Sequence, residues 1–408
     1  MPLQHPNNHC LFPFKHLTAL VWVDELLKHY PSANVYVVGG AVRDALRGVP
    51  LHDLDLVVTG VLMKDLAEWL QSHGIVKLEG SRFGVFGFIP YANPRNPKIE
   101  IALPRTEIST QQDGGYKNFS VQSDPFLPIE EDLRRRDFTV NAMAWEWRTE
   151  TLIDPCGGEQ DLKARIIRAV GDPLARLKED STRILRAIRF ACALSATIEP
   201  KTWHAIETLA PRLAHTDSHG RPLVAHQMVG QELLRMFVAD PPRAYELLTF
   251  AHVNKVLWDG LPLAVPKTSV TDPTLIFALC GKDTDPPRYD AWLKHWRLAV
   301  NRKAIRVALL VHQHGLQKFS SAEIERTFLP HRALLVPFLQ ETKNARAAER
   351  LLSVFRASAL PPILTGDDLL AQGFSPGPEF RRLLDTVRSA ELDGRPIPSL
   401  HQLLAKES

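Results

Sequence analysis

The sequence predicts an α+β protein: a mixed-sheet domain at the N-terminal end, then a long all-α remainder. Three observations lead there. Between Val35 and Trp147 short apolar runs rich in Val and Ile alternate with helix-like or loop stretches. After Asp161 strand signals nearly vanish and helical periodicity dominates. The chain has 408 residues, of which 45% are hydrophobic, enough for about two to four structural units with real cores.

In chain order, the first 30 residues read as a short extension and then a helix, with apolar positions at Leu17, Leu20, Val21, Val23, Leu26 and Leu27. Strands are predicted at Val35–Val38, Leu54–Val58, Val85–Ile89, Ile99–Leu103 and Thr139–Trp145. Helices follow over 174–195, 200–213, 222–238 and 242–257, with shorter ones to the end. Pro-rich stretches near 261–273 and 284–288 are candidate linkers.

No apolar run approaches the roughly 18–20 residues needed to span a bilayer, and the start lacks a basic-then-apolar signal. Cys10, Cys156, Cys192 and Cys280 lie far apart without CxxC spacing, so neither a zinc site nor a disulfide framework is expected. The cytoplasm is the expected compartment. Net charge is only +3, but residues 281–360 hold 14 Lys and Arg against 7 Asp and Glu. That excess fits a module holding a polyanion, and equally a solvated helical face that happens to be basic.

The stretch "VYVVGGAVRDALRGVPLHDLDLVV" carries the first chemistry. A strand has a side-chain period of two, so Asp53 and Asp55 face one way, about 6–7 Å apart, while Leu54 and Leu56 enter a core. Two carboxylates on one face repel unless a divalent cation sits between them, and oxygen ligands suit Mg²⁺. Alone, such a pair also occurs by chance on surface strands. Gly39 and Gly40 let the backbone approach a ligand, the following helix start favours an anion, and Arg43 lies one turn in. A dinucleotide-binding loop is the alternative, but the third glycine of GxGxxG is missing. A triphosphate beside two metal-binding carboxylates is what two-metal nucleotidyl transfer requires. Glu100, alternating with Ile99 and Ile101 in "KIEIAL", is the candidate third carboxylate or an ordinary surface glutamate.

Two arginine-rich stretches follow. "EEDLRRRDFTVNAMAW" places Arg134, Arg135 and Arg136 before a strand. Charge runs are usually solvated faces, but Asp137 and Asn141 at fixed offsets in apolar surroundings argue that some of these groups point inward. In "EDSTRILRAIRFACAL" a helical wheel puts Asp180, Arg183, Arg186 and Arg189 on a drifting stripe opposite Ile184, Leu185, Ile188 and Ala191. The stripe is either a ladder of exposed ion pairs or a site that hydrogen-bonds a base and holds phosphates.

In this order and spacing, "GGAVRD…DLD", "RRDFTVNAM", "DPCGGEQDLKARIIR" and "EDSTRILRAIRFA" strongly resemble the class II tRNA nucleotidyltransferases, the CCA-adding enzymes of the polymerase-beta-like nucleotidyltransferase superfamily. The match covers about residues 35–195. "QELLRMF" around Glu232 is similar to a fifth motif, although Met228 stands where an arginine is common, and "TGDDLLAQGFSPGPEF" resembles a C-terminal segment of many members. The resemblance implies an extension at 1–30, a nucleotidyltransferase head (palm) at 31–150 and a neck with a base-reading helix at 151–220. A helical body at 221–300 and a tRNA-binding helical tail at 301–408 complete it.

The resemblance makes Asp53 and Asp55 the Mg²⁺ ligands, with Glu100 as a catalytic candidate, and assigns Gly39, Gly40, Arg43 and Arg136 to the incoming nucleotide. Asp180 and Arg183 would hydrogen-bond the base of CTP or ATP, with Arg186 and Arg189 further along the same helix. The implied reaction adds CCA, untemplated, to the 3′ end of tRNA. The length of the segment after Arg105 and the sequence "GSRFGVF" point to the full CCA-adding subgroup. Enzymes adding only A or only CC, bacterial poly(A) polymerases and an inactive RNA-binding relative are the alternatives. An inactive relative would show a broken DxD or EDxxR, and both are intact.

Overall fold

The structure is a computed structural model that describes residues 13–51, 53–78, 85–92, 98–109, 119–266 and 270–397. The N-terminal extension to residue 12, most of "GSRFGVF" and the centre of the segment after Arg105 lie outside the described residues. The chain divides into two compact units, 1–232 with 246–257, and 233–245 with 258–408.

The first unit opens with two 3-10 turns and α1 (Val23–His29), then β1 (Asn34–Val38), α2 (Gly40–Leu46), β2 (Asp55–Thr59), α3 (Met63–His73), β3 (Gly74–Leu78), β4 (Val85–Pro90) and β5 (Ile99–Ala102). It continues with β6 (Arg105–Ser109), β7 (Phe119–Ser123), α4 (Ile129–Arg134), β8 (Ala144–Glu146), β9 (Leu152–Ile153), α5 (Gly158–Ala164) and β10 (Ile166–Ile167). Then come α6 (Pro173–Glu179), α7 (Thr182–Ala193), β11 (Thr197–Ile198) and α8 (Pro200–Leu209). The chain passes between the units along α9 (His226–Ala239) and α10 (Pro241–Phe250), and α11 (Val253–Leu257) belongs to the first.

Among the described residues the main sheet has seven strands in the order β3-β4-β5-β2-β1-β8-β9, antiparallel except for the parallel pair β2–β5. Alternation sorts its two faces. Val35, Val37, Leu54, Leu56, Val58, Ile99 and Ile101 join the large core with α1 and α3. Tyr36, Val38, Val57 and Ala144 face the other way, onto Ile129 and Leu133 of α4. The carboxylate face of β2 is therefore the α4 face, which brings the arginines that follow α4 to the acidic pair.

The remaining differences from expectation have local causes. Residues 139–145 form a 3-10 turn, Thr139–Asn141, before β8. There the Asp137 carboxylate accepts from Phe138 N (2.8 Å) and Asn141 Nδ2 (3.2 Å), and such side-chain bonds compete with a strand ladder. The helix expected over 174–195 is two, broken where the Asp180 carboxylate accepts from Thr182 N at 2.9 Å. Likewise 242–257 is two helices with His252 in the left-handed region, φ 56°. Strands β3, β9 and the pairs β6–β7 and β10–β11 add to the expected set. Val21, counted as apolar-facing, is exposed.

The described part of the second unit is helical: α12 (Pro273–Cys280), α13 (Pro286–His295), α14 (Arg302–His314), α15 (Ser321–Phe328), α16 (Arg332–Glu341), α17 (Ala345–Ala357), α18 (Gly366–Ala371) and α19 (Pro378–Leu392). Asp272, Asp285, Asn301, Ser320 and Asn344 each cap the helix they precede. Part of its basic excess is spent inside the unit. Arg302 pairs with Asp290 (2.9 and 2.7 Å), and Arg350 donates to the carbonyls of Leu316 (2.8 Å) and Phe319 (2.6 Å). Lys303 and Arg306 are exposed.

Candidate active site

The site starts where β1 hands over to α2. Gly39 adopts φ 67°, and a Cβ built there would lie 2.8 Å from Arg136 Nη1. A side chain there is strained by conformation and would push the Arg136 guanidinium aside. Gly39→Ala is expected to cost about 1–3 kcal/mol of stability and to displace Arg136. Thermal melts together with equilibrium binding of a nucleoside triphosphate check both effects. Arg43 donates to Asn141 Oδ1 at 2.7 Å, and its Nε and Nη2 grip the Asp44 carboxylate at 2.9 and 3.0 Å. Helix α2 has seven residues, so attraction for an anion rests mainly on such guanidiniums.

Asp55 begins β2, and Asp53 precedes it, exposed, in an irregular stretch. In the parallel register Asp55 stands opposite Glu100 of β5. Burial, then the nearby Glu100 carboxylate, pushes Asp55 up to about 6, with a smaller contribution from Asp53, while Arg136 and Lys98 pull the other way. The Glu100 carboxylate accepts from Lys98 Nζ at 3.1 Å and is exposed. Among the described residues no group of three or more His, Cys, Asp or Glu is placed to hold a metal ion. Two carboxylates, one of them disfavoured in its ionised form, are still a donor set that fits Mg²⁺. That ion keeps several waters and binds through one or two carboxylates plus substrate phosphates.

Opposite the carboxylates stand the arginines, each tethered. Asp132, 1% exposed, accepts from Arg135 Nε (3.0 Å) and Arg136 Nη2 (3.3 Å). Burial raises its carboxyl, but the two guanidiniums outweigh burial and hold it below the usual range. Arg186 donates to Asp137 Oδ2 from Nε (2.8 Å) and Nη2 (2.6 Å). Burial opposes ionisation of Asp137, yet Arg186 and the bonds from Asn141 and Phe138 bring it down to about 2. Arg189 Nε meets Glu232 Oε2 at 2.6 Å, and Arg183 Nη1 donates to Arg176 O (2.9 Å) and Glu179 Oε2 (3.0 Å).

These groups line one cleft of about 500 Å³. Gly39, Gly40, Arg43, Asp53, Asp55, Arg136, Arg183, Arg186 and Arg189 all belong to its lining. Glu100 and Asp180 are not part of its lining. Asp180 sits ahead of α7 rather than on its stripe, with Oδ1 bonded to Thr182 N and Oγ1 (2.6 Å). Sequence reasoning missed Phe190, Arg105 and Arg135, which also line the cleft. A phenylalanine inside an apolar helix reads as core, and a lone arginine before a loop carries no pattern. "DPCGGEQD" supports the cleft from outside: Asp154 accepts from Gly158 N (2.8 Å) and Glu159 N (2.9 Å). A Cβ at Gly158 would meet Thr139 O at 2.1 Å, so glycine permits α5 to press on the Thr139–Asn141 turn.

The chain is similar to known proteins over this region and beyond it. The family model for the poly A polymerase head domain matches residues 35–168. The multifunctional CCA protein of Xanthomonas oryzae pv. oryzae (strain MAFF 311018) is 40% identical over 215 residues, covering 52% of this chain and 47% of the relative. The chain thus matches about half the length of those multifunctional relatives. Among solved structures, the Bacillus stearothermophilus CCA-adding enzyme in complex with CTP superposes with a TM-score of 0.72 at 23% identity, over 99% of this chain and 98% of that one. The Thermotoga maritima CCA-adding enzyme complexed with tRNA_CCA gives 0.64 at 20% identity, over 98% and 94%. At those identities the likeness speaks for the fold: a mixed-sheet head followed by helices. The CCA-adding enzyme of Geobacillus stearothermophilus is 30% identical over 390 residues, 95% of this chain and 81% of that enzyme. On the strength of that match, running far beyond the head domain, the chain belongs to the CCA-adding enzyme family, the class II tRNA nucleotidyltransferases.

Proposed function

We propose that the protein adds CCA, without a nucleic-acid template, to the 3′ end of tRNA from CTP and ATP. The observation that carries this reading is the single cleft in which Asp53 and Asp55 face Arg43, Arg136, Arg183, Arg186 and Arg189. Relatives named for CCA addition, and a neighbour solved with CTP, support the choice of substrates. Asp53 and Asp55 would hold Mg²⁺, which when bound polarises the phosphoryl group and neutralises its developing charge. Arg43, Arg136, Arg186 and Arg189 bind and orient the triphosphate, with Gly39 and Gly40 leaving room for its approach. Arg183, held by Glu179 and the Arg176 carbonyl, presents donors to the base edge. Asp180, outside the cleft lining, bonds Thr182 N and Oγ1 and so fixes the start of the helix that carries Arg183. Glu100 holds Lys98 and raises Asp55, a supporting role.

Within this reading, residues 31–150 are the head, 151–220 the neck, 221–300 the body and 301–408 the tail that holds tRNA. The cytoplasm is the proposed compartment. No helix among the described residues is long and apolar enough to cross a membrane, and Cys156, Cys192 and Cys280 are free thiols.

The deciding experiment incubates the protein with tRNA lacking its 3′ end and with CTP, ATP or both. Two added residues with CTP and three with both are expected. One added A only, two added C only, or long A tails would each replace the reading with a narrower relative. Arg183→Ala is expected to erode the preference for CTP and ATP by about ten- to a hundredfold, because a base-reading group discriminates at roughly 1–3 kcal/mol. Equal loss with all four triphosphates would make α7 a phosphate clamp instead.

A further inference from the structure

Phe190 stands on the wrong side of its helix for a core residue. At about 100° per residue, Ile184, Leu185, Ile188 and Ala191 share one arc of α7, while Phe190 falls among Arg183, Arg186 and Arg189. It is nevertheless only 5% exposed, because guanidiniums cover it. The guanidinium carbons of Arg189, Arg43 and Arg186 lie over the ring, at 3.9, 5.4 and 5.4 Å from its centroid. An edge-on contact with fully buried Phe138, centroids 5.7 Å apart, braces the ring from the protein side.

Three like charges around one side chain repel unless something between them is attractive. Each guanidinium has a carboxylate partner in Asp44, Asp137 or Glu232, but a carboxylate pulled further in would cancel the charge a polyphosphate needs. The face of an aromatic ring attracts cations without neutralising them. We propose that Phe190 is the positioning residue of the cleft: its π-face holds Arg43, Arg186 and Arg189 as a preorganised cradle for the phosphates. The assignment rests on the nucleotide-transfer reading above for its biological ligand, while its physical content is an affinity for polyphosphate.

Inorganic triphosphate is therefore the probe, measured by equilibrium binding to the full-length protein. Phe190→Leu should weaken binding roughly three- to thirtyfold, and Phe190→Tyr should restore it to within about twofold. Because the leucine variant also changes packing, near-isosteric 4-fluoro-, 3,5-difluoro- and 3,4,5-trifluorophenylalanine at position 190 supply the decisive series. Each fluorine drains the π-face, so the logarithm of affinity should fall stepwise with fluorine count. A flat series in folded protein overturns the proposal, whatever the leucine variant does. A falling series in a protein that extends no tRNA upholds the cradle and overturns only the transfer reading.

Discussion

Asp55→Asn is expected to reduce incorporation of both CTP and ATP by about 10³-fold or more while raising the melting temperature of the metal-free protein. The two effects have one cause. Burial and the neighbouring Glu100 carboxylate hold Asp55 at about 6, above its ordinary 3.8. Such an offset corresponds to about 3 kcal/mol against the ionised folded form, which solvent access at the cleft reduces to about 1–2 kcal/mol. Asparagine removes that repulsion together with the anionic oxygen a divalent cation needs. The sign in pH follows. A carboxyl whose folded value is raised makes the metal-free native state most favourable below about pH 4, and that contribution is lost as pH rises through 6. Melting curves of wild type between pH 4 and 7.5 should show this slope beyond that of Asp55→Asn. Turnover by the variant near the wild-type rate would remove Asp55 from the chemistry.

Arg186→Met should be the most destabilising of these substitutions, at about 3–5 kcal/mol, because it strands the buried Asp137 carboxylate. In wild type, burial works against that charge and the Arg186 guanidinium more than offsets it, bringing Asp137 to about 2. The pair's contribution is complete above about pH 4, the unfolded range for Asp, and declines as pH falls through 2. In the variant the stranded carboxyl loses its principal partner and its value rises. Mild acid should then recover stability relative to wild type. Urea titrations at pH 7.5 and 5 measure both signs, and the double variant with Asp137→Asn should regain part of the loss. If Arg186→Met unfolds at the wild-type urea concentration, the pair contributes nothing to folding.

What was legible in the sequence follows from the kind of signal each part leaves. Strands β1, β2, β4 and β5 were read to within about two residues, because Val, Leu, Ile and Phe alternate there across a two-sided sheet. Strand β3 lies at the sheet edge with much of its length exposed, so it leaves no alternation to find. The arginines were visible, yet their tethers were not: Asp132, Glu179 and Asp44 lie next to them in sequence but read as ordinary charge runs. The break at Asp180 depends on local side-chain bonds to Thr182, and periodicity averages over such an event. Phe190 was hidden because an aromatic residue on a helix looks the same whether it meets leucines or guanidiniums.

The pleat of β2 has a consequence for how active protein accumulates. Leu54, Leu56 and Val58 enter the large core, whereas Asp55 and Val57 face α4. Sliding this strand by one residue would exchange the two sets, turning Asp55 into the core and leucines into the cleft. No intermediate register places Asp55 half a step away. Under the proposed function, the place of Asp55 is thus a binary readout of strand registration: a molecule either carries this acid in the cleft or does not. Partial misfolding in a preparation should lower the fraction of working molecules without producing a population of slow ones, so active-site titration and total protein would diverge while turnover per titrated site stays constant.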